Sequence, residues 1–352
     1  MRPLTPNPDS ARRAAYPGFD WLRIGLASVV VIWHAGLRVP GLVDGPLAVN
    51  VFFALSGWLI GGILLRAEAA DLPRFFLNRA TRIWLPYAAA IVLLYGFAAL
   101  AEGVGRPWST YLLYDTTFTH QIFARPDDAM PLGGAGRQFW SLSVEEQFYL
   151  LAPAIMMFLT FGKKLLPWAA LGAIGLVTGA LGTPIVLGVI AAILHRDHGD
   201  WHARRVGRIA VAIATAGLFA ALHLSDYKAF RMLFAIGVVL MVAMPGERHT
   251  LPVFLGGVSF PLYLNHWVGA ILADTLCNHI LHLPWQAPAH LPVFVTLAYV
   301  LALAFAALAY LAIDRPALMR RAGWYTPARA TALAVTGYGL VATGLIGGVL
   351  LR

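Results

Sequence analysis

Apolar runs of about twenty residues recur along the whole chain, and a run of that length is what an α-helix needs to cross the hydrocarbon core of a bilayer. They begin near residues 19, 47, 83, 140, 165, 184, 209, 229, 251, 293 and 330, which predicts eleven spanning helices. The fifth and sixth share one run broken at Gly182-Thr183-Pro184, a pattern that also suits a broken or re-entrant pair. Hydrophobic residues make up 59% of the 352, charged ones 12%, and the mean hydropathy is +0.70. A soluble core of this size cannot bury so much apolar surface. The expected fold class is all-α, a polytopic membrane helix bundle without a soluble domain or an internal repeat. Residues 1–18 are expected to form a cytosolic N-terminal tail and residues 19–352 a single membrane domain.

The formal charge of +9 does not point to nucleic acid, because the basic residues fall in short loops between apolar runs rather than in one patch. They set topology instead. With a cytosolic N-terminus, 18 of the 26 Lys and Arg lie on that side, against seven outside (Arg38, Arg106, Arg125, Arg137, Lys228, Arg231, Arg352) and Arg23 within the first run. That asymmetry gives the orientation, and the expected location is the cell (inner) membrane. The tail is polar and Pro-rich, lacks a small-residue cleavage pattern, and reads as retained. Cys277, the single cysteine, leaves no intrachain disulfide and no cysteine metal cluster.

Polar groups inside apolar helices usually face a bundle interior and mark a site. Arg23 and His34 share a face of the first helix, about 16 Å apart along it; snorkelling of Arg23 and packing of His34 are the plainer alternatives. The second run, V-N-V-F-F-A-L-S-G-W-L-I, embeds Asn50, Ser56 and Gly57, small residues that also permit close helix packing. Arg79 and Arg82 are one turn apart, as membrane anchors or as a clamp for phosphate oxygens. In F-W-S-L-S-V-E-E-Q-F-Y, residues Ser141, Glu145 and Tyr149 line one face, while Ser143 and Glu146 point elsewhere. In G-G-V-S-F-P-L-Y-L-N-H-W, Ser259, Tyr263 and His266 share another face, and Pro261 distorts the helix. The depths place His34, Asn50, Glu145 and His266 near the outer level and Arg23, Arg79 and Arg82 near the inner. A polar cavity crossing most of the bilayer is expected, with Glu145 meeting His34 and fixing its tautomer. His195, His198 and His202 lie in a basic loop with only Asp197 and Asp200 as nearby carboxylates, and no metal site is expected there.

At these residues the chain resembles the acyltransferase 3 family of integral membrane acyltransferases. The resemblance rests on D-W-L-R with W-H ten residues later, V-F-F-A-L-S-G-W-L-I, R-A-T-R-I-W-L-P, F-W-S-L-S-V-E-E-Q-F-Y-L-L-A-P and V-S-F-P-L-Y-L-N-H-W, in family order from Asp20 to about Arg321. Two departures stand out: Asn50 where the family commonly has Asp, and Asp314-Arg315-Pro316 where it has Glu-x-Pro. The resemblance implies a ten-helix core, so the eleventh run is an added C-terminal span.

It also implies transfer of an acyl group, often acetyl, from acyl-coenzyme A to a hydroxyl of a carbohydrate or small-molecule acceptor, with no metal. Arg23, Arg79 and Arg82 would hold the coenzyme A phosphates. His34, with Glu145, would act at the thioester as general base or as an acyl-accepting group. Tyr263, Ser141 or backbone amides near Pro261 would meet the oxyanion. Asn50, Ser56, Tyr149, Ser259 and His266 complete the candidate substrate or oxyanion set. Acyl-CoA, the acceptor and membrane lipid are the expected partners. A proton-coupled transporter or glycan flippase using the same His and Glu groups is the competing reading, and a coenzyme A-binding module without turnover a third.

Overall fold

The computed structural model describes residues 16–39, 42–125, 129–247 and 249–351. Most of the expected tail, and Arg2, Arg12, Arg13, Arg248 and Arg352 of the charge count, lie outside the described residues. The described part is helical: α1 (Gly18–His34), α2 (Gly45–Arg66), α3 (Leu72–Glu102), α4 (Arg106–Thr116), α5 (His120–Phe123), α6 (Phe139–Phe158), α7 (Leu165–Thr178), α8 (Thr183–His198), α9 (Arg205–Leu224), α10 (Lys228–Val242), α11 (Thr250–Thr275), α12 (Leu291–Ala309), α13 (Arg315–Arg320) and α14 (Pro327–Leu350). Short π-helical stretches follow α11 at Leu276–Ile280 and α12 at Tyr310–Asp314.

A helix stands at or near each expected start. Among the described residues five helical stretches are long and apolar enough to cross a membrane by themselves: Gly45–Arg66, Ala69–Glu102, Arg205–Leu224, Leu291–Arg320 and Pro327–Leu350. The outward faces carry large apolar side chains, such as Val206 and Ile213 on α9 and Ile346 and Val349 on α14, each more than half exposed. In water that surface would be unfavourable by about 25 cal/mol per Å²; against lipid it is not, and the chain is a multi-pass membrane protein.

The third helix corrects the sequence expectation. It begins at Leu72, eleven residues before the apolar run at 83, and continues through Pro86. Hydropathy misses its polar first turns, so Arg74, Asn78, Arg79 and Arg82 are helical residues of α3. The run at Gly182-Thr183-Pro184 does break: α7 ends at Gly179, φ 70°, and α8 restarts at Thr183. The stretch between α3 and α6 is itself folded, because the buried Asp115 of α4 accepts bonds from Tyr95 Oη (2.5 Å) and His120 Nδ1 (2.6 Å) while its carbonyl accepts one from Tyr87 Oη (3.0 Å).

Two close helix contacts set the bundle. A β-carbon on Gly57 of α2 would strike the Ile185 carbonyl of α8, and one on Gly188 would strike the Ala54 carbonyl of α2. Gly269 of α11 lies in the same way against the α12 backbone at Ala298 and Ala302. Backbones this close need small residues and gain dispersion along their length. Between these pairs runs α1, packed on both α2 and α11, and it is this placing that turns Arg23 toward the bundle cavities and sets His34 beside His266 of α11. At the α2 N-terminus Asp44 caps Leu47 N–H (2.9 Å) and holds Arg231 of α10 (2.9 Å).

Candidate active site

Two adjoining cavities share Arg23, Leu59 and Ile63. The mouth, about 840 Å³, opens at the end of the bundle that carries Arg66, Arg74, Asn78, Tyr16, Trp58 and His195. The inner chamber, about 260 Å³, has apolar walls including Phe52, Phe53, Leu142 and Phe260. Its polar lining is Arg23, Ser56, Arg79, Arg82, Ser141, Glu145, Tyr149, Ser259 and Tyr263. Nine of the twelve sequence-predicted site residues thus converge on one chamber from α1, α2, α3, α6 and α11. His34, Asn50 and His266 do not line it.

Arg23 donates to Asp20 Oδ1 at 3.0 Å. Asp20, the first residue of the D-W-L-R motif, is itself buried under Gly256 of α11, where an added β-carbon would lie 2.9 Å from its Oδ1. Asp20 is an orienting residue that sequence reading passed over, although its i,i+3 spacing to Arg23 was the available signal. Arg79 places its guanidinium carbon 5.8 Å from the Tyr149 ring centroid, and its buried Nε finds no hydrogen-bond partner among the described residues. Arg66 and Arg74, which by sequence count only among the 18 basic residues that set topology, join the mouth because α2 and α3 meet there. At its rim, burial and the Asp200 carboxylate push the Tyr16 phenol up to about 12, which keeps it an O–H donor.

Glu145 does not reach His34 in the way expected. Its carboxylate accepts from Ser56 Oγ (2.6 Å) and Tyr149 Oη (3.3 Å), and Tyr149 Oη also lies 3.2 Å from Ser56 Oγ. The physical reason is height: Ser56 is more than a turn deeper in α2 than Asn50, and α6 packs at that level. Glu146, on another face, accepts from Trp84 Nε1 of α3 at 2.7 Å. Ser56 and Gly57, adjacent in sequence, take separate roles, one lining the chamber and the other seating α8.

His34 is exposed at the far end of α1. Its Nδ1 lies 2.9 Å from the Val30 carbonyl of its own helix. A carbonyl can only accept, so Nδ1 carries the proton and Nε2 keeps a free lone pair. His266, buried, repeats the arrangement with Nδ1 2.9 Å from the Tyr263 carbonyl. The two imidazole centroids are 4.8 Å apart. Local backbone thus sets both tautomers, a role the sequence had given to Glu145.

Tyr263, which lines the inner chamber, lies one turn, roughly 4.5 Å of helix rise, before His266. Its hydroxyl meets Ser141 Oγ at 2.6 Å and donates to the Gln138 carbonyl (3.1 Å), and Gln138 Nε2 donates to the Leu264 carbonyl (2.9 Å). This network joins α6 to α11 between the chamber and the histidine pair. Ser259 bonds the Gly256 carbonyl of its own helix (2.7 Å) and lines the chamber. Asn50 is half-buried on α2, outside the chamber lining.

A family model described as an acyltransferase domain matches residues 16–311. A Staphylococcus aureus (strain COL) protein provisionally named an O-acetyltransferase is 29% identical over 171 residues, 42% of this chain and 26% of the relative. O-acetyltransferase OatA of S. aureus (strain NCTC 8325 / PS 47) is 28% identical over 163 residues, 41% of this chain and 25% of the relative. The match therefore spans about a quarter of the length of these curated relatives. No solved structure matches the chain. With the family model covering most of the chain, including every helix that builds the two cavities, this protein belongs to the acyltransferase 3 family.

Proposed function

We propose that the protein is a membrane O-acyltransferase that moves an acyl group, acetyl in the simplest case, from cytosolic acyl-coenzyme A to a hydroxyl of a carbohydrate or glycoconjugate. The observation that carries this reading is the order of groups along one path. Arg66, Arg74 and Arg23 stand at the mouth, Arg79 and Arg82 line the inner chamber, and Tyr263 and Ser141 close it one turn below the paired histidines. Coenzyme A has the same order, with phosphates at one end, a thioester at the other and a pantetheine arm between. The roughly 16 Å from Arg23 to His34 along α1 suits that arm. The unpartnered Arg79 Nε supplies a donor for a phosphate oxygen. The arginine-rich mouth faces the cytosol of the inner membrane, with the N-terminus on the same side.

In the transfer His34 Nε2 accepts the proton of the acceptor hydroxyl as its oxygen attacks the thioester carbonyl. The Tyr263 or Ser141 hydroxyl donates to the oxyanion of the tetrahedral intermediate. As the C–S bond breaks, the imidazolium returns its proton to the leaving thiolate. In a two-step variant the same lone pair forms an Nε2–acyl bond as the C–S bond breaks and the thiolate leaves; the acceptor oxygen then attacks that acyl carbon, the N–C bond breaks, and the hydroxyl proton passes to the thiolate.

The paired Nε2 atoms also suit a proton relay, so a proton-coupled transporter or flippase is the second reading. Purified protein in detergent with radiolabelled acetyl-coenzyme A distinguishes them. Thioester consumption by the native chain, lost in His34→Ala and needing more donor in Arg23→Ala, supports the acyltransferase. If saturating donor neither binds nor turns over, while proteoliposomes conduct protons, the transporter reading replaces it.

A further inference from the structure

We propose that His195, Asp200 and His202 form a binding site for a divalent transition-metal ion of the zinc class at the cavity mouth. The local chain path creates the cluster. Helix α8 ends at His198, Gly199 turns the backbone with φ at 67°, and the next residues fold back so that donor atoms of His195, Asp200 and His202 all lie within 4.8 Å of one another. No familiar metal-ligand spacing marks these three residues, since the turn and not the numbering brings them together.

The hydrogen bonds leave this cluster rich in acceptors and poor in donors. His202 is fully buried, and its Nε2 lies 2.7 Å from the Ala243 carbonyl. That nitrogen must carry the proton, so Nδ1 is a bare lone pair, and it has no partner among the described residues. His195 Nδ1 faces the Gly199 carbonyl at 3.1 Å, which leaves its Nε2 as a second lone pair. The Tyr16 hydroxyl lies 3.2 Å from both that Nε2 and Asp200 Oδ1, one proton between two acceptors, and His195 Nδ1–H stands 3.6 Å from the same Asp200 oxygen, beyond hydrogen-bond distance. A cation satisfies what one O–H cannot. An imidazole whose other nitrogen is tied to a backbone carbonyl is also the usual orientation of a metal-binding histidine.

The rings are held for the purpose. Trp58 stacks on His195 with centroids 5.3 Å apart and meets His202 edge-on at 5.4 Å. Two nitrogens and one carboxylate oxygen favour zinc-like ions over Mg²⁺ or Ca²⁺, which prefer all-oxygen shells. Bonds of about 2.0–2.2 Å require the donors to draw together by roughly an ångström, a movement open to the half-buried His195 and Asp200. Tyr16 or water fills the fourth position, facing the mouth. The bound ion would clip together the chain before α1, the α8–α9 turn and the end of α10, and its binding does not depend on the acyltransferase reading.

The test uses the full chain carrying a tag without histidines, purified in detergent and treated with EDTA. Zinc uptake is measured by equilibrium dialysis with elemental analysis, and Co²⁺ reports geometry through its visible absorption. One ion per chain is expected, with a four-coordinate Co²⁺ spectrum lacking a thiolate band, as Cys277 is buried elsewhere. Asp200→Asn and His202→Ala should each weaken binding at least about tenfold, and His198→Ala, at an exposed position, should leave it unchanged. If His202→Ala fails to fold, Asp200→Asn carries the test alone. Folded native protein that takes up no stoichiometric zinc, equal binding by Asp200→Asn, or an equal loss in His198→Ala would overturn the proposal.

Discussion

The imidazoles of His34 and His266 stand with ring centroids 4.8 Å apart, each donating Nδ1–H to a carbonyl of its own helix and keeping Nε2 free. One ring is exposed and the other buried, so they differ in access while sharing a tautomer. Of the two rings, His34 is the one open at the surface, with His266 packed beside it.

Because His34 is exposed and its Nδ1 bonds the Val30 carbonyl of its own helix, His34→Ala should fold normally and lose at least about 100-fold in acyl transfer. Thermal unfolding in detergent and label transfer from acetyl-coenzyme A check the two halves separately. Loss of folding would return His34 to a packing role.

Arg79 lines the inner chamber, and its buried Nε has no hydrogen-bond partner among the described residues. Arg79→Lys keeps the charge and removes the planar fork. The expected result is a KM for the donor raised about tenfold, equivalent to 1.4 kcal/mol, with little change in kcat, measured by varying acetyl-coenzyme A at fixed acceptor.

Glu145 holds Ser56 and Tyr149 instead of His34. Glu145→Gln should therefore alter donor binding, through Tyr149 and the adjacent Arg79, while the pH profile of kcat keeps its shape. A displaced profile would instead restore the direct coupling of Glu145 to His34 that the sequence suggested.

Gly256 leaves room for Asp20, which in turn holds Arg23. Gly256→Ala puts a methyl group against Asp20 and should act at a distance, weakening donor affinity in the same direction as Arg23→Ala. Isothermal titration with coenzyme A reads this without turnover. Wild-type affinity in Gly256→Ala would show that Asp20 does not position Arg23.

Gly188 contacts the α2 backbone directly. Gly188→Val should destabilise the bundle by about 1–3 kcal/mol, the usual range for overpacking, seen as a lower unfolding temperature in detergent. An exposed substitution such as Val206→Leu on α9 should leave it unchanged.

Legibility divided along physical lines. Helix positions could be read from the apolar runs because lipid demands about twenty apolar residues wherever a helix crosses. The exceptions were the polar first turns of α3, which lie along the cavity mouth, and the short helices α4, α5 and α13, where hydropathy has nothing to detect. Candidate site residues could be picked out as polar groups that lipid does not tolerate, and nine of the twelve line one chamber.

What the sequence alone determined, then, was the class of fold, the helix order and the residue types that had to face inward, since each follows from local chemistry and helical period. Pairings across the bundle were decided by tertiary structure. Glu145 found Ser56 instead of His34, His34 found His266, Asp20 came to rest under Gly256, and Asp200 returned to His195 and His202. The reason is that helical period fixes the face and depth of a side chain, whereas the partner is fixed by which backbones can approach. That was settled by small residues such as Gly57, Gly188 and Gly269, whose contacts set helix neighbours and heights.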